Sequence, residues 1–406
     1  MDKVVITGLG TIGCFGTGRE NLRAALAGSA APALTEVDRS AGLHRDGGSR
    51  LAALARGSDL SPWVRPAAAR RMSGPSKLAV AAARMATTDG GLENTEEGWD
   101  ETGVVISTAF GPTDFTERLL RSIASGGPET ASPSHFTESV ANAPAAQIAI
   151  ECQARGPNVT VTQREAGAVI ALGRAAAEIA EGRARRVLSG SVEEITPLLH
   201  ALLDRFGALA RAAPGRSEAA RPFDRRRNGM LAGEGATVVL LEAESSAVAR
   251  GAQILARVRA AASGFDPSAS RVGWGRGDEP LAAALLHRLA RVGLAAGEID
   301  LVVSGASGSR AGDRLEAQVL RKLFAGGPVP PVLAPKSLIG EYGGGFLGAA
   351  VLAVGGGEFG ATEGFAEPDP ELGLIPYAGG RLAGGRVLVS SLAAGGAAAW
   401  VVLEQP

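Results

Sequence analysis

The stretch Asn158 to Glu194, NVTVTQREAGAVIALGRAAAEIAEGRARRVLSGSVEE, sets a reactive group on a sharp turn. Val159 to Thr162 are rich in β-branched residues and read as a buried strand. Gln163-Arg164-Glu165-Ala166-Gly167 forms the turn, and helical spacing starts at Ala168. Val169, Leu172 and Ile179 share one face, with Gly173, Ala176, Ala177 and Ala180 beside them. Gly182 closes the helix, and Arg186 to Gly190 is the next strand. A strand that feeds a helix through a tight turn has the geometry of a nucleophile elbow. The free N–H groups at the helix start favour negative charge there, which suits a thiolate or an alkoxide. This chain carries a carboxylate, Glu165, at that turn.

The remaining residues that do such chemistry are sparse and scattered. Cys14 and Cys152 give neither a disulfide framework nor a metal cluster. His44, His135, His200 and His287 fall outside every motif and read as surface or structural histidines. The 406 residues are 45% hydrophobic and 20% charged, with a formal net charge of −1. That is an ordinary globular composition, and it argues against a nucleic-acid partner. No apolar run reaches the ~18 residues of a membrane span. MDKVVITGLG runs straight into a strand, so no signal peptide and a cytoplasmic location are expected.

The elements that must hold the elbow alternate along the chain. Strands are expected at 3–8, 103–107, 236–242, 253–264, 299–304, 332–335, 386–391 and 399–404. Helices are expected at 20–27, 75–90, 115–125, 142–154, 197–209, 245–250, 280–292, 313–324 and 346–359. Residues 30–64 read as an irregular surface excursion. Both halves follow one grammar, and both end on a strong strand, ATVVLLE and AAWVVLE. This predicts an internally duplicated α/β fold of βαβαβ halves, 1–250 and 251–406, with alternating helix and sheet layers.

Several short blocks occur in a fixed order: Asp2 to Gly10, Gly156-Pro-Asn158 with the elbow, Arg221-Pro-Phe-Asp-Arg-Arg-Arg-Asn-Gly229 and Ala232-Gly-Glu-Gly-Ala236. Ala311-Gly-Asp313 with Glu316, and Lys336-Ser337 with Gly340, complete the series. Together they resemble the β-ketoacyl synthases of the thiolase-fold superfamily over essentially the whole chain. The resemblance implies the thiolase fold, in α-β-α-β-α layers, and a decarboxylative Claisen condensation. An elbow Cys would carry the acyl chain as a thioester, and two His residues would promote decarboxylation and stabilise the enolate and oxyanion.

The family pattern counts the nucleophile onto Glu165, the first His onto Gly305 and the second onto Glu341. The aromatic gate of the family's C-terminal glycine loop falls on Ala394. Lys336, Glu316 and Asp313 are retained. Such losses resemble the chain-length factor, or KSβ subunit, of type II polyketide synthases, where Gln commonly replaces the Cys. The Glu-Tyr-Gly-Gly-Gly run at 341–345 looks closest to factors of polyene-type systems.

The resemblance implies a non-catalytic subunit paired with an active ketosynthase (KSα) in a heterodimer that controls polyketide chain length. The strand beside the elbow would pair across the two-fold axis, and Phe110, Phe115 and Phe136 would lie toward the partner's acyl tunnel. It implies no cofactor of its own; substrates would ride on the phosphopantetheine of an acyl carrier protein bound mainly by the partner. The Arg211 to Arg227 loop is a candidate dock for that acidic carrier. Two other readings concern the site. In one, Glu165 and Glu341 share a proton in a stand-alone acid–base or thioester-handling enzyme. In the other, Glu165 is a fixed negative group capping its helix in an inactive site.

Overall fold

Ten strands fall into two sets of five. The first set is β1 (Val4–Gly13), β2 (Thr102–Ser107), β3 (Asn158–Val161), β4 (Arg186–Glu193) and β5 (Gly235–Ala243). The second is β6 (Ala256–Phe265), β7 (Leu301–Ser304), β8 (Val332–Leu333), β9 (Val387–Leu392) and β10 (Ala397–Glu404). These come from a computed structural model, which describes residues 3–92 and 99–406. Asp2 of the first sequence block lies outside the described residues.

The first set is ordered β1-β5-β4-β2-β3 and the second β6-β10-β9-β7-β8, so the second repeats the order of the first. In each, the fifth strand pairs antiparallel with the first and fourth, and the second strand pairs parallel with the third and fourth. Even the irregularities match. β1 shifts register between Ile6 and Gly8, and β6 between Val258 and Ala260. β1 also pairs with β6 at Val4, Val5 and Ile6, which joins the two sets in one hydrogen-bonded path.

Helices make the other three layers. Helices α1 (Gly74–Asp89) and α2 (Ala143–Cys152) cover the outer face of the first set. Further along the chain, α3 (Gly167–Ala180) packs between the two sets. Helices α4 (Asp278–Arg291) and α5 (Arg310–Leu323) cover the outer face of the second. The last, α6 (Gly344–Val354), joins α3 in the middle.

The sequences of these helices fit their layers. On α5, Leu315, Val319, Leu320 and Leu323 are buried while Arg314, Arg321 and Lys322 face outward, the stripe of an outer helix. On α6, Phe346, Leu347, Ala349, Ala350, Val351, Leu352, Ala353 and Val354 are all buried. An all-round apolar helix belongs between two sheets. The expectation of a helix over 346–359 is too long by one element. The helix ends at Val354, and Gly357–Phe359 pairs with Gly380–Leu382 instead, because Gly356 and Gly357 adopt positive φ and turn the chain back. The 30–64 excursion also holds short strands at Thr35–Glu36 and Leu51–Ala53. Among the described residues no helix is long and apolar enough to cross a membrane.

Candidate functional site

The elbow forms where β3 ends. Arg164, a non-glycine residue, sits at φ 47, and a 3-10 turn over Arg164–Ala166 leads into α3. Left-handed backbone costs a non-glycine residue roughly 1 kcal/mol or more, so the turn is held by its surroundings. One of those holds is visible: the Ser391 hydroxyl on β9 donates to the Glu165 carbonyl at 2.7 Å. The second half of the fold therefore clamps the turn that the first half forms.

Glu165 and Glu341 line one cavity of about 560 Å³. Its walls include Phe110, Ile195, Leu203, Phe206, Met230, Val272, Trp274 and Ala394. Burial pushes the Glu165 carboxyl up to about 7, and the neighbouring Glu341 adds to the rise while Lys336 opposes it. Glu165 Oε2 is buried with no hydrogen-bond partner. The expectation that Glu165 caps its helix as a fixed negative group is therefore corrected. Helix α3 has no side-chain cap, and the carboxyl at the turn is driven toward its neutral form.

Glu341 is engaged elsewhere. Lys336 Nζ donates to Glu341 Oε2 at 2.5 Å, and the Gly343 N–H donates to Oε1 at 3.1 Å. Lys336 is itself buried, with its ammonium 4.7 Å from the centre of the Phe346 ring. Burial raises the Glu341 carboxyl, and Lys336 pulls it back down. Glu316 on α5 is pushed to about 7 by burial, against the pull of Ser390, Ser304 and Lys336. One buried ammonium thus faces three carboxyls. It is hydrogen-bonded to Glu341, and burial drives the other two toward their protonated forms.

The remaining positions from the motif count behave differently. Gly305 N donates to Ser390 O at 2.7 Å, so its backbone is pressed against β9. A Cβ there would sit 2.9 Å from Ser391 Oγ and 3.0 Å from Ser390 O. Any side chain there therefore requires β9 to shift. Ala394 lines the cavity with a methyl group only. Asp313 is structural: its carboxylate accepts from Phe223 N at 2.9 Å and from Ser307 and Gly308 N at 3.2 Å each. Burial still raises it to about 6. It thereby ties the 305–308 segment to the Arg221–Gly229 block, where buried Phe223 sits at φ 63.

Phe110 reaches the cavity wall, whereas Phe115 and Phe136 do not. Phe115 packs edge-on against His135, and Phe136 is 61% exposed on the outer surface. The Arg211–Arg227 loop spends its guanidinium groups mostly at home. Arg211 pairs with Asp204, Arg221 donates to Ser217 O and Ala219 O, and Arg227 pairs with Asp369.

Glu193, which ends β4, was not singled out in the sequence. Its carboxylate accepts from Thr108 Oγ1 at 2.8 Å, Ala109 N at 2.6 Å and Phe110 N at 3.3 Å. Burial raises it to about 8. Its sequence signal is a pair of carboxylates, Glu193-Glu194, at the end of a fully buried strand. That carboxylate fixes the backbone that presents Phe110 to the cavity.

Comparisons with known proteins agree with this architecture. Residues 1–247 match the N-terminal domain of the beta-ketoacyl synthases and residues 255–354 their C-terminal domain. The chain is 31% identical to a 3-oxoacyl-[acyl-carrier-protein] synthase 2 of Vibrio cholerae, over 63% of this chain and 61% of that protein's length. It is 31% identical to the tetracenomycin polyketide synthase ketoacyl synthase beta subunit of Streptomyces glaucescens, covering 91% of this chain and 90% of the relative. The alpha subunit of the same system is 29% identical over 92% and 89%. Among solved structures, the ishigamide ketosynthase/chain length factor superposes with a TM-score of 0.88 at 29% identity, covering 100% of this chain and 99% of that one. By its fold and by these matches, the chain belongs to the β-ketoacyl synthase family.

Proposed function

We propose that this chain is the non-catalytic, chain-length-factor subunit of a type II polyketide synthase. It pairs with an active ketosynthase as a heterodimer and shapes the acyl tunnel. The carrying observation is the state of the three positions that the family count assigns to chemistry. Glu165 offers a near-neutral carboxyl where an acyl thioester needs a thiolate. Gly305 carries no side chain, and one added there would press on β9; Glu341 is bound to Lys336. The likeness to both the alpha and the beta subunit of one polyketide synthase supports the pathway class; the site chemistry favours the beta role. On this reading the 1–250 and 251–406 halves are the two thiolase-like units. The partner's cysteine receives the acyl chain from a carrier protein, and the pair works in the cytoplasm.

Reconstitution tests this. The chain alone, with malonyl-loaded carrier protein, should give no condensation. With a cognate Cys-containing ketosynthase it should co-elute as a stable complex and set the product mass. If the ketosynthase makes identical products without it, the assignment fails.

One observation favours a second reading. Glu165 at about 7 has the poise of a general acid–base group, and Glu341 lies in the same cavity. A stand-alone acid–base enzyme would show activity in the isolated chain that Glu165→Gln abolishes.

A further inference from the structure

A second cleft, of about 930 Å³, lies beside the elbow cavity and shares Trp274, Arg310 and Ala311 with it. Arg225, Arg227, Arg276, Arg310 and Arg314 line it, against Asp278, Asp369 and Glu371. The acids are partly spent. Asp369 pairs with Arg227 at 2.6 Å, Asp278 lies 3.5 Å from Lys322, and Glu371 reaches Arg314 only at 3.9 Å. Among the described residues, neither Arg276 nor Arg310 makes an ion pair. Both are exposed, and Arg310 uses only its Nε, on the Arg227 carbonyl.

The N-terminus of the 14-residue helix α5 opens on this cleft through Arg310 and Ala311. Ser309 Oγ accepts from the Gly312 N–H, and its carbonyl accepts from Asp313. The N–H groups of Arg310 and Ala311 therefore remain the orphan donors of that terminus. Arg227 packs directly beside that terminus: its Nη2 donates to the Arg310 carbonyl at 3.2 Å, and Arg310 Nε donates to the Arg227 carbonyl at 3.0 Å. Arg227 is 5% exposed, and its Nε is buried with no hydrogen-bond partner. Trp274 packs against Gly312, where a Cβ would meet the indole at 2.7 Å, so its ring is fixed at the cleft's inner edge.

We propose that this cleft binds a phosphate-class anion, in the form of a pyrophosphate or an organic phosphate. Planar guanidinium forks and free helix N–H groups match phosphate oxygens in geometry and charge. The fixed indole gives an apolar face to whatever group carries the phosphate. Arginines outnumber acids five to three along the lining, and Arg276 and Arg310 keep guanidinium N–H groups without a protein partner among the described residues. The site requires no condensing chemistry and holds whether or not the elbow is active.

Calorimetric titration of the full chain with sodium pyrophosphate, and separately with ADP, tests the site. Saturable one-to-one binding with a Kd below about 1 mM is expected for at least one of them. It should weaken several-fold between about 50 and about 200 mM salt. The Arg276→Ala/Arg310→Ala double variant should bind at least tenfold more weakly, with an unchanged melting temperature showing that it is folded. Arg205→Ala, a cation outside the cleft, should bind as the parent does. Tighter binding of ADP than of pyrophosphate would support use of the indole face. The proposal is overturned if neither probe saturates, if the double variant binds as tightly as the parent, or if Arg205→Ala weakens binding equally. Competition by polyaspartate at matched charge would also overturn it, since the cleft would then be a general acidic-protein surface.

Discussion

Lys336 Nζ lies 2.5 Å from Glu341 Oε2, and the lysine is buried against the Phe346 ring. A buried ammonium is stable only beside an acceptor of opposite charge. The residue at position 341 therefore does two things. It occupies the position that the family count gives to a histidine, and it neutralises the lysine five residues earlier in the chain.

Lys336→Met should strand Glu341 in the interior. A buried partner left alone costs about 3–5 kcal/mol. Part of that loss should return in Lys336→Met/Glu341→Leu, where both charges are gone. Urea denaturation of the two variants and the parent measures the difference. Equal stability of the single and double variants would show that the pair is not coupled.

Glu165 gives a pH dependence of defined sign. Its ordinary value is 4.5, and in the folded chain it lies at about 7. Between those values the folded state holds the proton that the unfolded state has lost, so stability falls as pH rises. The loss is absent below 4.5 and complete above 7. Glu193, Glu194 and Glu316, also raised by burial, add slopes of the same sign. Glu165→Gln removes only its own share. The variant should gain at least about 1 kcal/mol on the parent between pH 5 and pH 7.5, since one pKa unit corresponds to about 1.4 kcal/mol. Parallel stability curves for the two proteins would contradict the raised value.

Gly305 should resist replacement. An added methyl group meets Ser391 Oγ and the Ser390 carbonyl, both within about 3 Å. Gly305→Ala is expected to cost about 1–3 kcal/mol, the range for overpacking. For the same reason Glu165→Cys/Gly305→His/Glu341→His should regain no condensing activity. Thioester formation and product release by this triple variant are the readouts, and measurable turnover would show that the backbone at 305 yields.

Of the three aromatics expected at the tunnel, Phe110 lines the cavity and Phe115 and Phe136 do not, and Glu193 accepts from the Phe110 backbone N–H. In a reconstituted heterodimer, Phe110→Ala should lengthen the product by one or more extender units. Phe136→Ala, on the outer surface, should leave product mass unchanged unless the partner covers it. Mass spectrometry of the released polyketides distinguishes these outcomes.

Much of this was legible in the sequence because it is local or periodic. The β-branched run at 159–162, the helix from Ala168 and the paired terminal strands follow from chain neighbours alone. The duplicated order of strands was visible as a repeated grammar. Ordered blocks such as Arg221–Gly229 carried the family, and counting along them located Glu165, Gly305 and Glu341. What these residues do was decided by long-range contacts. Residue types could not show that Ser391 clamps the Glu165 carbonyl, since the two are 226 positions apart. Nor could they show that a Cβ at Gly305 would press on β9, which lies far along the chain. The charge states followed the same rule. Sequence alone left Glu165 either a fixed negative cap or one of a proton-sharing pair with Glu341, whereas burial and the charge of Glu341 raise its carboxyl to about 7. Chain order fixes which residues can meet a turn, a cap or a strand partner. Desolvation and excluded volume depend on every layer packed around them, and only the assembled fold sets those.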